Sequence, residues 1–303
     1  MEVRRRLEFA KRYPQLVTAP LRKTLMDRAY AAPWPSISKA RVVDDPLPVL
    51  VDVNHRRHFG IGPTDVAKVD QPWSSKAATC VWRGASTNLE GEDGNERSDR
   101  VRLVQRWAGT YDVGLSTLTT EGREQGLAAY LREPLTLRDQ LQHKYILCPE
   151  GNDVATCLKW VMLSNSVPLM PTPRRETVFL EGWLRPYVHY VPVAADWHDL
   201  PARLAWCQQN DRACQQISLN GKAWAAAFFD PALSAQVAEL VQRRVAEALR
   251  PALHPASRQV LAAPVAVPAT GPVAAPPAPS QRMPLQAARG RRKAVRMLPK
   301  LQR

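Results

Sequence analysis

Two short polar segments contain residue types that bind anionic ligands. The first, Glu150-Gly151-Asn152-Asp153, lies between the apolar run "KYILC" and a second, mostly apolar run. Glycine lets a ligand approach the main chain, and Asn or Asp caps a helix start, whose unpaired N–H groups favour phosphate. The segment predicts a helix that begins at Asp153 with Asn152 or Asp153 as its cap. A phosphate site and a capped helix start that binds nothing both remain open.

The second segment, "VWRGAS" (81–86), ends a predicted strand with Arg83 and Gly84, and Arg100 opens the next predicted helix. Two arginines near strand ends can clamp a diphosphate, and surface ion pairing is the alternative for each. The sequence contains no dinucleotide-binding glycine motif, P-loop, zinc-protease motif or Asp-x-Asp. A diphosphate bound without a carboxylate-held metal would need arginines, lysines and helix ends to neutralise it.

Alternating strands and helices must position these segments. Strands are predicted at 78–84, at "KYILC" and at "SVPLM", with a helix from Asp153 between the last two. This order of strand, tight loop, helix and strand is a βαβ unit, which predicts the α/β class. Two helices are predicted over 200–229, with Gly221 near the end of the first, and an amphipathic helix over 231–250.

The net charge of +14 is unevenly distributed. Residues 251–303 carry nine Lys and Arg residues and no Asp or Glu, which leaves 14 − 9 = +5 for residues 1–250. Ten of the 27 prolines lie in the same tail, which predicts disorder there. The body of the protein is therefore not expected to bind nucleic acid. The tail is expected either to bind an anionic membrane surface or only to solubilise the chain.

The cysteines and the absence of long apolar segments bear on where in the cell the protein is expected. The chain has five cysteines, an odd number without a CxxC spacing, which favours free thiols in a reducing environment and argues against a zinc site. The N-terminal segment "MEVRRRLEFAKRYP" lacks the apolar core of a signal peptide, and no apolar run reaches about 18 residues. These features predict a cytoplasmic protein, with peripheral attachment to the inner face of the membrane as the alternative.

Four motifs taken together resemble glycosyltransferase family 90. They occur in the family's order and spacing, as "CVWRGAS…DRVRL", "HKYILCPEGNDVATCLKWVMLSNSVPLMP", "ETVFLEGWLRPYVHYVPV" and "NGKAW". The likeness covers about residues 25–230. It is strongest to the bacterial lipopolysaccharide-modifying branch, which is related to capsule-associated xylosyltransferases and protein O-glucosyltransferases.

The resemblance implies an α/β fold of the GT-B-like kind, with two Rossmann-like halves and a donor cleft between them. The implied reaction is an inverting, metal-independent transfer of a sugar from a UDP-sugar to a hydroxyl of a lipopolysaccharide core or other surface glycan, with no cofactor. The implied domains are a short acceptor-side half (1–76), a nucleotide-sugar-binding half (77–230), a C-terminal helix (231–250) and a disordered tail (251–303). The acceptor-side half looks short because only 26 residues precede Asp27.

The resemblance also implies roles for particular residues. Asp27 matches the general base, with Asp44 and Asp45 as the other candidates, because the base must accept the proton of the acceptor hydroxyl. The residues that match acceptor-side positions are Lys39, Arg41 and His58. The residues that match donor-binding positions are Arg83, Gly84, Ala85, Ser86, Arg100, Glu150, Gly151, Asn152, Asp153, Val154, Ala155, Thr156 and Cys157. The animal enzymes carry a serine at the position of Ala85 and an arginine at that of Cys157.

Two other functions remain as alternatives at this point. One is a family-like protein that binds a nucleotide sugar but has lost catalysis, because its acceptor-side half is short. The other is a basic nucleic-acid-binding protein, which only the tail supports.

Overall fold

The computed structural model describes residues 11, 22–24, 36–44, 48–52, 58–89 and 98–249, of which 22–24 and 246–249 are described by their backbone only. The predictions for Asp27, Asp45 and the tail fall outside these residues. The part of the N-terminal segment that lies within them contributes one short strand, at Arg22–Thr24.

Short strands and helices alternate along the chain. The strands are β1 (Arg22–Thr24), β2 (Ser36–Ser38), β3 (Arg41–Val42), β4 (Pro48–Leu50), β5 (Ala77–Ala85), β6 (Asp112–Thr117), β7 (His143–Leu147), β8 (Val167–Met170), β9 (Arg175–Glu176) and β10 (Val191–Pro192). The helices are α1 (Pro63–Ala67), α2 (Asp99–Trp107), α3 (Thr120–Glu124), α4 (Leu137–Gln140), α5 (Leu158–Leu163), α6 (Leu200–Gln209), α7 (Asp211–Phe228) and α8 (Pro231–Leu249).

A five-stranded parallel sheet organises the larger part of the structure. Its strand order is β10-β8-β7-β5-β6, and each neighbouring pair is parallel. The chain therefore leaves β5 toward one edge to form β6, and then crosses back to build β7, β8 and β10 on the other side. The parallel sheet confirms the predicted α/β class, and the strand order reverses between β5 and β7.

Helices and loops cover the five-stranded sheet on both faces. Along β7, Tyr145 and Leu147 belong to one hydrophobic cluster and Ile146 to the other, as the two-residue period of a strand requires. The first cluster includes the buried face of α2, with Val104, and the second includes α5, with Val161. Burial on both faces explains why the parallel strands are apolar runs rather than alternating ones.

A smaller three-stranded parallel sheet, in the order β1-β2-β4, lies in the predicted acceptor-side half. The segment after β2 is joined to the segment after β8 by the antiparallel pairing of β3 with β9. Phe59 and Val66 pack into one core cluster of the large sheet, and Trp73 packs into the other. The packing of these three residues therefore crosses the predicted boundary at residue 76. The arrangement in two Rossmann-like halves stays a prediction.

Two predicted helix boundaries are wrong. Helix α5 begins at Leu158, after Cys157, and residues 150–156 form a loop. The predicted cap at Asp153 fails because that carboxylate is bound to Lys39 instead. Gly221 does not end a helix but lies inside α7, where a Cβ would sit 3.6 Å from Met162 of α5.

The C-terminal amphipathic helix is confirmed as α8 (Pro231–Leu249), with Ala238 and Val245 on its buried face. Among the described helices, none combines the length and the apolar character that a membrane crossing requires.

Candidate functional site

The loops that follow β5 and β7 meet at the point where the strand order reverses. In open parallel sheets, ligands bind outside the carboxyl ends of the strands at this reversal. β5 ends at Ala85 and β7 ends at Leu147, so the segments "GAS" and "EGNDV" leave the sheet side by side. The topology therefore brings the two polar segments of the sequence to one place.

Arg100 joins these two loops. Its Nη1 atom donates hydrogen bonds to the carbonyl oxygen of Ala85 at 2.9 Å and to Oγ1 of Thr87 at 2.7 Å. Its guanidinium carbon lies 5.8 Å from the ring centroid of Trp82. A Cβ on Gly151 would lie 2.7 Å from Arg100 Nη2. Gly151 is therefore the residue that lets the guanidinium lie against the main chain of the second loop.

The path of the loop after β5 is set by close contacts. A Cβ on Gly84 would lie 2.4 Å from Cζ2 of Trp82, so the indole packs against a position without a side chain. Ser86 is fully buried, and its Oγ accepts a hydrogen bond from the backbone N–H of Thr119 at 2.8 Å. These contacts hold Ala85 and Ser86 where Arg100 reaches the loop.

Glu150 is buried against two arginines from the loop after β8. Its Oε1 accepts from the backbone N–H groups of Arg174 at 2.9 Å and Arg175 at 3.2 Å. Its Oε2 accepts from Arg174 Nε at 3.3 Å and Arg175 Nη1 at 3.2 Å. Arg174 Nη2 also donates to Oδ1 of Asp99 at 2.8 Å. One arginine thus bridges two buried carboxylates, one in the loop after β7 and one at the start of α2.

Burial shifts the pKa of both carboxylates. Desolvation raises the pKa of Glu150 to about 7, because the positive charge of Arg174 offsets only part of the cost of burying the anion. Desolvation also raises the pKa of Asp99, and Arg174 opposes the shift there too. The negative charge at Glu150 is therefore sensitive to pH in the neutral range.

Arg83 does not meet Arg100, so the predicted two-arginine clamp is wrong in this pairing. The Arg83 guanidinium donates to Asp112 Oδ1 at 2.6 Å and to the carbonyl oxygens of Asp112 and Glu133 at 3.0 Å each. Asp112 is the first residue of β6, two positions before the partner of Arg83 in the ladder. The side chain therefore extends back along β6, away from the carboxyl ends of the strands.

The predicted acceptor-side cations are bound inside the protein. Lys39 Nζ forms a buried ion pair with Asp153 Oδ2 and lies 3.2 Å from Nε2 of His58, which is also buried. Arg41 Nε donates to Glu176 Oε1 at 2.8 Å across the β3–β9 pair. Lys39 and Arg41 therefore tie the segment after β2 to the loop after β7 and to β9, rather than forming a solvated cationic face.

The other predicted loop residues are partly or fully buried. They are Asn152, Val154, Ala155, Thr156 and Cys157. A hydrogen bond with Cys148 lowers the pKa of the Cys157 thiol, and burial raises the pKa of Cys148. Asp44, one of the candidate bases, is exposed in a turn with φ 65°.

Within the described ranges, no group of three or more His, Cys, Asp and Glu side chains is placed to hold a metal ion. The predicted metal independence stays a prediction.

The family model for glycosyl transferase family 90 matches residues 63–232, which is more than half of the chain. The chain belongs to glycosyl transferase family 90. The match covers the described site from β5 to α7, and so includes both loops that meet at Arg100.

Curated relatives are similar to this chain over part of their length. The O-glucosyltransferase LpsA of Dichelobacter nodosus is 33% identical over 203 residues, which are 67% of this chain and 58% of LpsA. Protein O-glucosyltransferase 2 of Danio rerio is 24% identical over 156 residues, 50% of this chain and 29% of that protein. The chain thus spans little more than half the length of LpsA. Among solved structures, Anabaena HepE in complex with UDP and glucose aligns with 62% of this chain and 52% of its own, at 13% identity and a TM-score of 0.36.

In this family 90 chain, Arg174 and Arg175 are site residues that sequence reasoning missed. They come four and five residues after Met170, the last residue of β8. The sequence signal was a pair of arginines between a predicted strand end and the motif "ETVFLEGWL". Because β8 is parallel to β7, a charged pair that follows β8 lies at the same edge of the sheet as the loops after β5 and β7.

Proposed function

We propose that this family 90 chain is an inverting glycosyltransferase that moves a sugar from a UDP-sugar to a hydroxyl of a lipopolysaccharide core or another surface glycan. One observation carries the proposal: Arg100 and Gly151 meet where the strand order of a parallel sheet reverses. Both residues belong to motifs in the region that the family model matches.

The chemistry of this transfer requires positive charge next to the diphosphate that leaves the donor sugar. As the glycosidic bond to the diphosphate lengthens, negative charge develops on the leaving diphosphate. A guanidinium held by Ala85 and Thr87 can meet that charge without moving, because its position is set before the donor binds. Arg100 is the residue that we assign to this role.

The transfer also requires a base for the acceptor hydroxyl. We assign this role to Asp27, which lies outside the described residues and is supported by its position relative to the Lys39-x-Arg41 motif. The buried Lys39–Asp153 pair ties that motif to the donor loop. A base carried by the segment before Lys39 would therefore be connected to the loop that contacts the donor.

The lipopolysaccharide acceptor is supported by likeness to the bacterial branch and to LpsA. The UDP-sugar donor and the inverting course are supported by the family resemblance. We further propose that no metal or cofactor takes part and that the protein works on the cytoplasmic side of the membrane.

The test is a nucleotide-binding screen followed by a transfer assay. Thermal shifts of the full chain with UDP, GDP and ADP should single out UDP. Transfer from a panel of UDP-sugars to lipopolysaccharide core should then fall at least about a hundredfold in Asp27→Asn, as expected for loss of a general base. No shift with any nucleotide diphosphate would reject the proposal, and unchanged transfer in Asp27→Asn would reject Asp27 as the base.

One alternative has support from the site. Lys39, Arg41 and His58, which matched acceptor positions, are engaged in internal contacts. A family member that binds UDP without turnover would fit that observation. The same screen separates the two functions, because the alternative requires a UDP shift together with no transfer from any donor.

A further inference from the structure

Two cysteines lie at the two ends of the loop that follows β7. Cys148 is the first residue after β7, and Cys157 is the last residue before α5. Residues 149–156 lie between them and include Glu150 and Gly151 of the candidate site. A covalent bond between the two sulfur atoms would therefore close this loop.

The two thiols are neighbours. Cys157 Sγ lies 4.0 Å from the carbonyl oxygen of Leu147, which is joined to Cys148 by one peptide bond. The thiols of Cys148 and Cys157 are also hydrogen-bonded to each other. Both residues pack in the hydrophobic cluster that includes Val161 of α5. The pair therefore meets the first requirement for a disulfide, which is that the two side chains already lie side by side.

The two cysteines differ in exposure and in thiolate character. Cys157 is partly exposed, whereas Cys148 is 1% exposed. The hydrogen bond with Cys148 lowers the pKa of the Cys157 thiol by more than burial raises it, and burial raises the pKa of Cys148. The thiolate is the form of cysteine that reacts with oxidants. A partly exposed cysteine with thiolate character beside a second thiol is the arrangement of redox-sensing cysteines, in which the second thiol resolves the oxidised one.

A second pair of neighbouring cysteines lacks an exposed member. Cys207 lies on α6 and Cys214 on α7, and both are completely buried. Cys214 Sγ lies 3.7 Å from the carbonyl oxygen of Cys207, and the two thiols are hydrogen-bonded. The hydrogen bond with Cys214 and burial both raise the pKa of Cys207. An oxidant in solution should therefore reach Cys157 and spare this second pair, which makes Cys207 and Cys214 an internal control.

We propose that Cys148 and Cys157 form a redox-modification site at which a hydroperoxide closes the loop after β7 with a disulfide. The Cys157 thiolate attacks one peroxide oxygen, the O–O bond breaks, and Cys157 becomes a sulfenic acid while the other oxygen leaves as water or an alcohol. The sulfur of Cys148 then attacks the sulfenic sulfur, and the displaced hydroxide takes the Cys148 proton and leaves as water. Two electrons pass from the two thiols to the peroxide for each disulfide formed, and a dithiol reductant reverses the reaction.

The disulfide changes the geometry of a loop in the candidate site. An S–S bond is about 2.05 Å long, which is shorter than any contact between two unbonded thiols, so the start of α5 must move toward the end of β7. Gly151 in this loop lies so close to the Arg100 side chain that no Cβ would fit between them. Oxidation should weaken UDP binding about tenfold, because groups around a bound donor are then misplaced. This effect rests on the proposed function, whereas formation of the disulfide does not.

The first experiment treats the folded full chain with hydrogen peroxide, alkylates the remaining thiols and maps the peptides by mass spectrometry. The wild type should show a disulfide between Cys148 and Cys157, and Cys207 and Cys214 should remain open to alkylation once the chain is unfolded. Cys148→Ser should stop at the sulfenic acid of Cys157, which a 1,3-dione traps. Cys157→Ser should leave Cys148 reduced, because the thiol that reacts first is missing.

The second experiment measures the Kd for UDP before peroxide treatment, after it, and after reduction with a dithiol. The Kd of wild type should rise about tenfold on oxidation and return to its starting value on reduction. Cys157→Ser should show the same Kd before and after treatment, whatever its starting value. The comparison is made within each protein, so an effect of the substitution on UDP binding itself cancels.

The outcomes that overturn the inference differ in what else they reject. If Cys148 and Cys157 stay reduced, or if Cys207 and Cys214 are oxidised equally fast, the modification site is rejected while the proposed function stands. A disulfide that forms without changing the Kd for UDP rejects its effect on the donor loop. If reduced wild type binds no UDP, the proposed function fails, and peptide mapping still decides whether the disulfide forms. That mapping uses the wild type, so it remains decisive even if a variant does not fold.

Discussion

The types of single residues at the site are constrained by the side chains that pack against them. Gly151 has no side chain because Arg100 occupies the space that a Cβ would fill, and Glu150 is buried because Arg174 and Arg175 surround its carboxylate. These are different kinds of constraint, one steric and one electrostatic. Each leads to a measurable effect of a conservative substitution.

Gly151→Ala should displace Arg100. The added methyl would lie 2.7 Å from Nη2 and 2.9 Å from Cζ, so the flexible end of the arginine must shift and leave its bonds to Ala85 and Thr87. We expect a loss of UDP affinity of about tenfold or more with a small change in stability. Calorimetric titration and thermal unfolding measure the two quantities. Gly109→Ala is the control, because nothing lies within 4 Å of a Cβ there, and an equal effect in both variants would contradict the steric argument.

Glu150 should make stability depend on pH. Its folded pKa of about 7 lies above its ordinary value of 4.5, so the folded state binds more protons than the unfolded state between these values. The contribution of Glu150 to the free energy of unfolding is therefore fully present below about pH 4.5. As the pH rises through 7 this contribution is lost, and the free energy of unfolding falls by up to roughly 3 kcal/mol.

Urea unfolding of wild type and Glu150→Gln between pH 5 and 7.5 measures this dependence. As the pH rises, the free energy of unfolding of wild type should fall relative to that of Glu150→Gln, because the amide does not titrate. Groups that titrate in both proteins cancel in the difference. A difference that stays constant with pH would show that Glu150 is charged throughout.

At the scale of elements, buried ion pairs connect segments that are far apart in sequence. Lys39 on the segment after β2 pairs with Asp153 after β7, and Lys159 on α5 pairs with Glu181 in the loop after β9. Glu181 also accepts from the backbone N–H of Thr177 at 2.7 Å. These pairs fix the directions of loops that contain almost no regular hydrogen-bonded structure.

Lys159→Met should destabilise the protein strongly. Both partners of this pair are almost completely buried, so the substitution leaves the Glu181 carboxylate without its cation, at a cost of about 3–5 kcal/mol. Chemical unfolding measures the loss. Lys159→Met/Glu181→Gln should recover part of it, because no buried charge then remains. The exposed pair Arg243–Glu239 on α8 is the control, and Arg243→Ala should cost no more than about 0.5 kcal/mol.

At the scale of the whole molecule, nine of the fourteen net positive charges reside in residues 251–303. If the tail binds an anionic membrane surface, deletion of these residues should abolish sedimentation with vesicles that contain anionic lipid. Binding by the full chain should weaken as salt increases, because the charges are exposed to screening. Vesicles of neutral lipid are the control. Equal sedimentation of the full and the truncated chain would assign membrane binding to the body of the protein.

The sequence by itself determined the α/β class, the order of the strands along the chain and the two segments that form the site. These follow from local patterns: apolar runs of strand length, the polar segments that end them and the helical periodicity between them. It also singled out Arg100 and Gly151, which lie against each other in the structure, because each belongs to a polar segment close to the end of a strand or the start of a helix.

Only the tertiary structure decided which charges meet. Arg174 contacts Asp99, and Lys39 contacts Asp153, across 75 and 114 residues of chain. Such pairs depend on the order of the strands in the sheet, which no local pattern encodes. Distant partners also explain two differences from the local predictions. The helix begins at Leu158 and not at Asp153, and Arg83 pairs with Asp112. In both cases a side chain that could act locally, as a helix cap or in a clamp, is engaged by a residue from another part of the chain.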